Sequence, residues 1–300
     1  MKSDNENKSI RKILKPIGIV YILFTYTLGV SAAHYLGIKI ELLDALIGLI
    51  VCLLIRDMRN FLGAYFDHPE SYHSTLNLND PEREELLSIR RPLLLQYSLL
   101  ILTAGATLTT IMIVRGVFSI STFLLLGIAL LLNFFSAAPP LRLFRNGYGE
   151  IVEALYIANL VPVIAFSLAG VSLSFLIIEL TLPLTFIYMA MKIALAFKSH
   201  GFDSMHGRKS LTTRLGWQNA LVLHNLFILL AFVLVGVFLL LGLPWSLTWP
   251  LLLALPVGGL QILHLQRIAN GLKPAWRLLQ WLAVGLFLLM IYLEVISLWM

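Results

Sequence analysis

The side chains able to do chemistry gather in three stretches of this sequence. The first, residues 56–91, opens RDMRNFLGAYFDHPESYHSTLN. The second, 133–150, reads NFFSAAPPLRLFRNGYGE, and the third, 198–216, reads KSHGFDSMHGRKSLTTRLG. They supply the carboxylates Asp57, Asp67 and Asp203, and the cations Arg56, Arg59, Arg142, Arg145, Lys198, Arg208 and Lys209. Four histidines, His68, His73, His200 and His206, lie beside Asp67 and Asp203. That set could bind zinc and activate water, although its spacings match no zinc signature. Lys192, Glu153 and Glu179 fall inside apolar runs, where an ionisable residue is a functional candidate by default.

The elements that must position these residues are membrane helices. Of 300 residues, 59% are hydrophobic and only 13% charged, and the mean hydropathy is +0.86. Soluble domains have about a quarter of their residues charged, so this composition excludes a cytosolic enzyme, a disordered chain and a disulfide scaffold. Cys52 stands alone and cannot form an internal disulfide. A bilayer core needs about 20 apolar residues per helix. On that rule nine spans are predicted, near 17–36, 41–66, 92–114, 117–137, 150–169, 171–197, 218–242, 247–265 and 279–299. The fold class is therefore all-α, a polytopic bundle of nine transmembrane helices. Pro162 and Pro183 are expected to kink theirs.

The net charge of +6 is read first as topology. Nineteen lysines and arginines fall at the N-terminal tail and the even-numbered connections, against only Lys39 and Arg115 on the other side. By the positive-inside rule the N-terminus is cytoplasmic and the three chemical stretches face the cytoplasm. Residues 1–16 form a basic tail without a cleavage site, and 17–300 a single transmembrane domain. Its cytoplasmic loops are expected at 67–91, 138–149 and 198–217. The expected location is the cell membrane, with the lipid bilayer and no nucleic acid as partner. Polar loops on one face can converge above a bundle cavity, where an enzyme reaches a lipid chain and a polar head group together.

The three stretches resemble the UbiA-type intramembrane prenyltransferases. FSAAPPLRLFRNGYG (135–149) is similar to the family's Y-S-x-P-P-x-R-x-K-x-x-G between the fourth and fifth helices. GRKSLTTRLG (207–216) is similar to G-K-x-T-L-x-x-x-L-G, and NFLGAYFD (60–67) to N-x-x-N-D-Y-x-D. The resemblance implies transfer of a prenyl group from a polyprenyl diphosphate to a lipophilic or aromatic acceptor, with magnesium ions held by two Asp-rich motifs. It assigns catalysis and metal binding to Asp67 and Asp203. Substrate binding goes to Asn60, Asp57, Arg142, Arg145, Lys192, Lys198, Arg208 and Lys209.

The motifs depart from that pattern. Gly63 and Ala64 stand where Asn-Asp is usual, and Ser199 where the first Asp of the second motif is expected. A second register sets Arg56-Asp57 against the family's Asn-Asp, with Asn60 in the next acidic place. Each motif keeps about one carboxylate while the surrounding cations remain. Plainer roles stand beside these: Asp57 as a local ion pair, and Arg142 and Arg145 as positive-inside anchors. A terpene cyclase, a non-catalytic lipid- or partner-binding protein and a transporter are the alternatives the thinned motifs leave open.

Overall fold

A computed structural model describes residues 10, 12–39, 41–72, 81–170 and 174–300, with the side chains of Pro81, Glu82 and Glu85 left aside. Every regular element among them is helical. Twelve helices are described: α1 (Ile17–Tyr35), α2 (Leu42–Asp67), α3 (Pro81–Leu87), α4 (Arg91–Val114), α5 (Ile120–Ala137), α6 (Gly149–Ser167), α7 (Phe175–Phe197), α8 (His200–Met205), α9 (Leu211–Leu241), α10 (Trp245–Leu252), α11 (Leu255–Ala269) and α12 (Trp276–Trp299). Among the described residues eight segments are long and apolar enough to cross a membrane, α10 and α11 counting as one. The protein is an integral membrane protein. The predicted second span, α2, has 26 residues. Its length suffices, but Asp44, Arg56, Asp57, Arg59 and Asp67 lower its apolar character.

Packing inside a bilayer gains nothing from expelling water, so helices associate through close contact and buried hydrogen bonds. Small residues make the contact. A Cβ at Gly29 of α1 would land on the carbonyl oxygen of Pro162 and on Ala165 in α6. One at Gly48 of α2 would strike the hydroxyl of Tyr26 and the side chain of Leu168. Hydrogen bonds supply the rest. The Tyr156 hydroxyl donates to the Cys52 carbonyl at 2.5 Å, joining α6 to α2. Thr122 donates to the Ser167 carbonyl at 3.2 Å, joining α5 to α6, and Trp299 donates to Ser31 at 3.0 Å, joining α12 to α1.

The helices surround α6 and α7, the two most buried spans. α1 packs on α6 and α12, α2 on α4 and α5, and α7 on α9 and α12. The middle is filled by Tyr21, Tyr188 and Phe287, whose rings meet edge to face at 5.0 to 5.9 Å.

Three departures from regular helix bear on the site. Residues Ala154–Leu160 of α6 form a wider π-helical segment just ahead of Pro162. Proline has no N–H to donate to the preceding turn, and the wider winding accommodates that loss. Gly216 (φ 76°, ψ 164°) breaks α9, so the five residues before it are a separate turn and the long span begins after it, as expected from 218 onward. The eighth span, read from sequence as continuous over 247–265, is divided at Leu253 and Ala254, between Pro250 and Pro256. The connections also carry more helix than expected, α3 within 67–91 and α8 within 198–217.

Gly29→Ala forces backbone against backbone and is expected to destabilise the bundle by about 2 kcal/mol. Gly127→Ala, with open space around its Cβ, should leave stability unchanged or raise it by up to about 1 kcal/mol. Thermal unfolding of the two variants in one detergent compares them directly.

Candidate functional site

Apart from Asp44 in its first turn, the charged residues of α2 lie from Arg56 to Asp67. Arg56, Asn60, Gly63 and Asp67 share one face at 100° per residue, with Arg59 on its flank. Next to this face the structure has a polar cavity of about 120 Å³, lined by Lys15, Arg59, Asn60, Asp67, Phe144 and Arg145 among others. The first two chemical stretches therefore meet there. The third approaches the second: the Leu211 N–H donates to Glu150 at 3.3 Å, and the Arg214 guanidinium lies 4.4 Å from the centre of the Tyr148 ring.

Asp67 is held by two arginines. Arg145 Nε donates to its Oδ2 at 2.7 Å, and Arg142 Nη2 is paired with its Oδ1. Arg142 has a left-handed backbone, φ 42°. For a non-glycine residue that conformation is unfavourable by roughly 1–2 kcal/mol and persists only where surroundings fix it. Here the ion pair with Asp67 is one such constraint.

Deeper in the bundle a second ion network joins four helices. Arg59 is 3% exposed and pairs with Glu153 Oε1 of α6 at 3.3 Å. Lys192 of α7 takes the other oxygen, Oε2, at 2.6 Å. Arg59 also donates to Asn133 Oδ1 of α5 at 3.3 Å and to Asn60 at 3.3 Å, and its guanidinium lies 4.5 Å from the centre of the Phe144 ring. Glu153 is thus the centre of a cation–carboxylate–cation triad. Asn60 Nδ2 is buried and has no hydrogen-bond partner among the described residues.

Arg56 has a different task. It is 2% exposed, pairs with Asp57 at 2.9 Å, and donates to the carbonyls of Leu14, at 2.6 Å, and Lys15. It thereby ties the start of α1 to α2 and holds Lys15 at the cavity wall. Asp57 belongs to this clamp and does not line the cavity. Its local ion-pair reading is the one the geometry favours.

The remaining candidates are spread out. Asp203 lies on α8, where Ser199 Oγ donates to its Oδ2 at 2.6 Å, and it does not line the cavity with Asp67. Lys198 and Lys209 are exposed, and Arg208 lies 5.8 Å from the centre of the Phe202 ring. His68 is buried against the Ile89 carbonyl at 3.1 Å, and His206 is bonded to the Phe202 carbonyl at 2.8 Å. His73 lies outside the described residues, as do Lys2, Lys8 and Arg11 of the tail.

No group of three or more His, Cys, Asp or Glu side chains among the described residues could hold a metal ion. Both oxygens of Asp67 and both of Glu153 are engaged by cations. Among the described residues, the donor set around the cavity therefore does not make up a magnesium cage built on carboxylates. What it fits is an anion. Sequence reasoning counted Arg59 among the cations flanking the pocket and left Glu153 to pair inside the bundle or face the cavity, and it missed Lys15 and Asn133. The one available signal was the coincidence of Glu153 and Lys192 inside apolar spans.

Along α2, farther into the membrane, lies an apolar cavity of about 390 Å³ between α2, α4 and α5. Val51, Met58, Ile101, Gly105, Phe123 and Leu130 are among its walls. Met58, Ile101 and Leu130 pack in one cluster with Ala137, which lines the polar cavity. One layer of side chains thus separates the two spaces.

No family model matches the sequence, and no curated protein is matched by it. Solved structures are similar over nearly the whole chain. A UbiA homolog from Archaeoglobus fulgidus bound to GPP and Mg²⁺ is 16% identical, with a TM-score of 0.63 over 97% of this chain and 100% of its own. A digeranylgeranylglyceryl phosphate synthase is 17% identical, with a TM-score of 0.62 over 99% of this chain and 97% of its own. The apo structure of a UbiA homolog from Aeropyrum pernix K1 is 16% identical, with a TM-score of 0.53 over 93% and 97%. The chain has the fold of these UbiA proteins.

Removing one member of a buried ion network leaves the others uncompensated, at about 3–5 kcal/mol. Glu153→Gln should therefore lower stability by that order. Lys192→Gln should lower it less, because Lys192 is partly exposed and Arg59 still neutralises Glu153. Detergent-solubilised unfolding curves for the two variants test the ranking.

Proposed function

We propose that this chain is a UbiA-type prenyltransferase of the membrane, moving a prenyl group from a polyprenyl diphosphate to a lipophilic acceptor. The observation that carries the reading is the pairing of the cation-lined polar cavity with the apolar cavity beside it along α2. An amphiphile with a phosphate head and a long apolar tail matches both. The solved proteins of the same fold, one bound to GPP and another to DMAPP, support it.

In this reading the diphosphate sits among Arg59, Arg142 and Arg145, with Asn60 Nδ2 as a further donor. Guanidinium groups bind phosphate oxygens through paired, charge-assisted hydrogen bonds. The same cations favour departure of the diphosphate, because negative charge grows on it as the carbon–oxygen bond breaks. The tail lies in the cavity between α2, α4 and α5, whose walls keep water from the allylic cation. Met58 is the adaptable side chain at the junction. It stands in the layer between the head and tail spaces, and in this reading its movement joins them. The basic face of the bundle looks into the cytoplasm, and Lys198, Arg208 and Lys209 attract anionic substrate to it.

Incubating the purified full chain with C10 to C20 prenyl diphosphates and a membrane-lipid extract tests this function. Release of diphosphate with a prenylated product of matching mass is expected. Arg145→Ala should cut turnover by roughly 100-fold, the usual scale for losing one charge-stabilising donor. A cyclic hydrocarbon, formed by loss of diphosphate and a proton without any acceptor, would identify cyclisation. Tight binding without either product would assign the fold to lipid binding.

A further inference from the structure

α4 and α5 both pack on α2, and the apolar cavity of about 390 Å³ lies between the three. Its end nearest the polar cavity is the layer that holds Met58, Ile101 and Leu130. Beyond that layer each of the two outer helices brings a glycine to the wall, Gly105 on α4 and Gly127 on α5. Gly105 comes four residues after Ile101, and Gly127 three before Leu130. At 1.5 Å per residue both lie about 4.5–6 Å past the layer, at one depth.

These glycines differ from Gly29 and Gly48, where a Cβ would collide with a neighbouring helix. A Cβ at Gly105 would meet Leu54 at an ordinary 3.9 Å, and one at Gly127 would meet nothing within 4 Å. Helix packing does not require either. What their missing side chains leave is free width in the cavity. The threonines on the same wall add no polarity to it. Thr109 and Thr110 donate to the carbonyls of Gly105 and Ala106, each at 2.9 Å, within α4. The matching occupant at this depth is therefore apolar.

An extended isoprene unit spans about 5 Å, four bonds advancing about 1.2 Å each. With the diphosphate in the polar cavity, the first unit crosses the layer of Met58 and the second lies beside the glycines. The α4 wall runs on from Ile101 to Ile113, about 18 Å or about three to four units. There the cavity opens to lipid, since Ile113 is 49% and Phe123 61% exposed. Units beyond that point lie in lipid whether the substrate is bound or free, and they add nothing to binding.

We propose that Gly105 and Gly127 determine the prenyl length this chain accepts, by leaving room for the second and later isoprene units. Its donor is then a prenyl diphosphate of C10 or longer, in preference to the C5 compound. The inference rests on the prenyl-diphosphate reading above and adds the length class to it. Both glycines lie away from the polar cavity, so they act on selectivity and not on the departure of the diphosphate.

The test is calorimetric binding of C5, C10, C15 and C20 prenyl S-thiolodiphosphates, which resist ionisation, to the full chain in detergent with magnesium. The affinity of the unaltered chain should rise at least about tenfold from C5 to C10, rise again to C15 and level off by C20. Gly127→Leu should weaken C10, C15 and C20 binding by at least about tenfold and leave C5 within about twofold, because leucine fills the space of the second unit and not of the first. Gly105→Leu should do the same from the α4 wall. Gly236→Leu on α9, where a Cβ also meets nothing, sets the same side chain outside this cavity and should change none of the four. Equal losses for C5 and the longer probes in either cavity variant, unchanged binding of the longer probes, or the same length-dependent loss in Gly236→Leu overturns the inference and leaves the prenyl-diphosphate reading standing. Absence of binding by every probe to the unaltered chain overturns that reading and the inference with it. If neither cavity variant elutes as a folded monodisperse species, the length series on the unaltered chain decides alone, and an affinity that does not rise beyond C5 overturns the inference.

Discussion

The contact between Arg59, Glu153 and Lys192 is the constraint on which the rest of the structure depends. A charge in a lipid-surrounded bundle is unfavourable unless other charges and hydrogen bonds answer it. Here each answers another, and each comes from a different helix. α2, α6 and α7 are therefore fixed in register as well as in contact, and Asn133 extends the network to α5. The π-helical segment begins at Ala154, directly after Glu153. The irregular winding thus lies just past the point where register is most tightly held.

From this constraint the chemical asymmetry of α2 follows. Its middle, from Val51 to Met58, lines a tail-sized apolar space, and its last turns carry Arg59, Asn60 and Asp67 at the polar cavity. A single continuous helix gives the two environments a fixed distance and direction. The segment between α5 and α6 adds arginines from above, and the left-handed backbone of Arg142 shows that the loop's conformation is tied to where that guanidinium points. Small residues at Gly63 and Ala64 keep this face of α2 open.

Much of the fold was legible from apolar runs of bilayer length, because the bilayer imposes length and the chain has few charges to interrupt it. The boundaries that shifted were those where local backbone chemistry intervened, as with the two prolines that divide the eighth span. The site was legible in its parts and not in its pairing. Arg142 and Arg145 were named from motif position, and their common partner Asp67 from another motif. That they neutralise each other is a three-dimensional fact across 75 residues of chain. The same holds for Arg59 and Glu153, 94 residues apart. Asp203 had a motif position as good as that of Asp67, yet its hydrogen bond is to Ser199, one helical turn before it. Residue type and spacing reported what kind of group was present, and long-range packing determined which group it faced.

The clamp made by Arg56 bears on how the first two spans hold together. Its guanidinium closes the backbone at Leu14 and Lys15, 42 and 41 residues earlier in the chain, and passes so near Gly18 that a Cβ there would collide with it. The Lys15 carbonyl also accepts from the Gly18 N–H at 3.0 Å, so what the second span adds there is the guanidinium that joins Leu14 and Lys15 to it. The first two spans are thus joined as a helical hairpin whose latch is carried by its later arm. The glycine on the earlier arm is the slot that the latch enters.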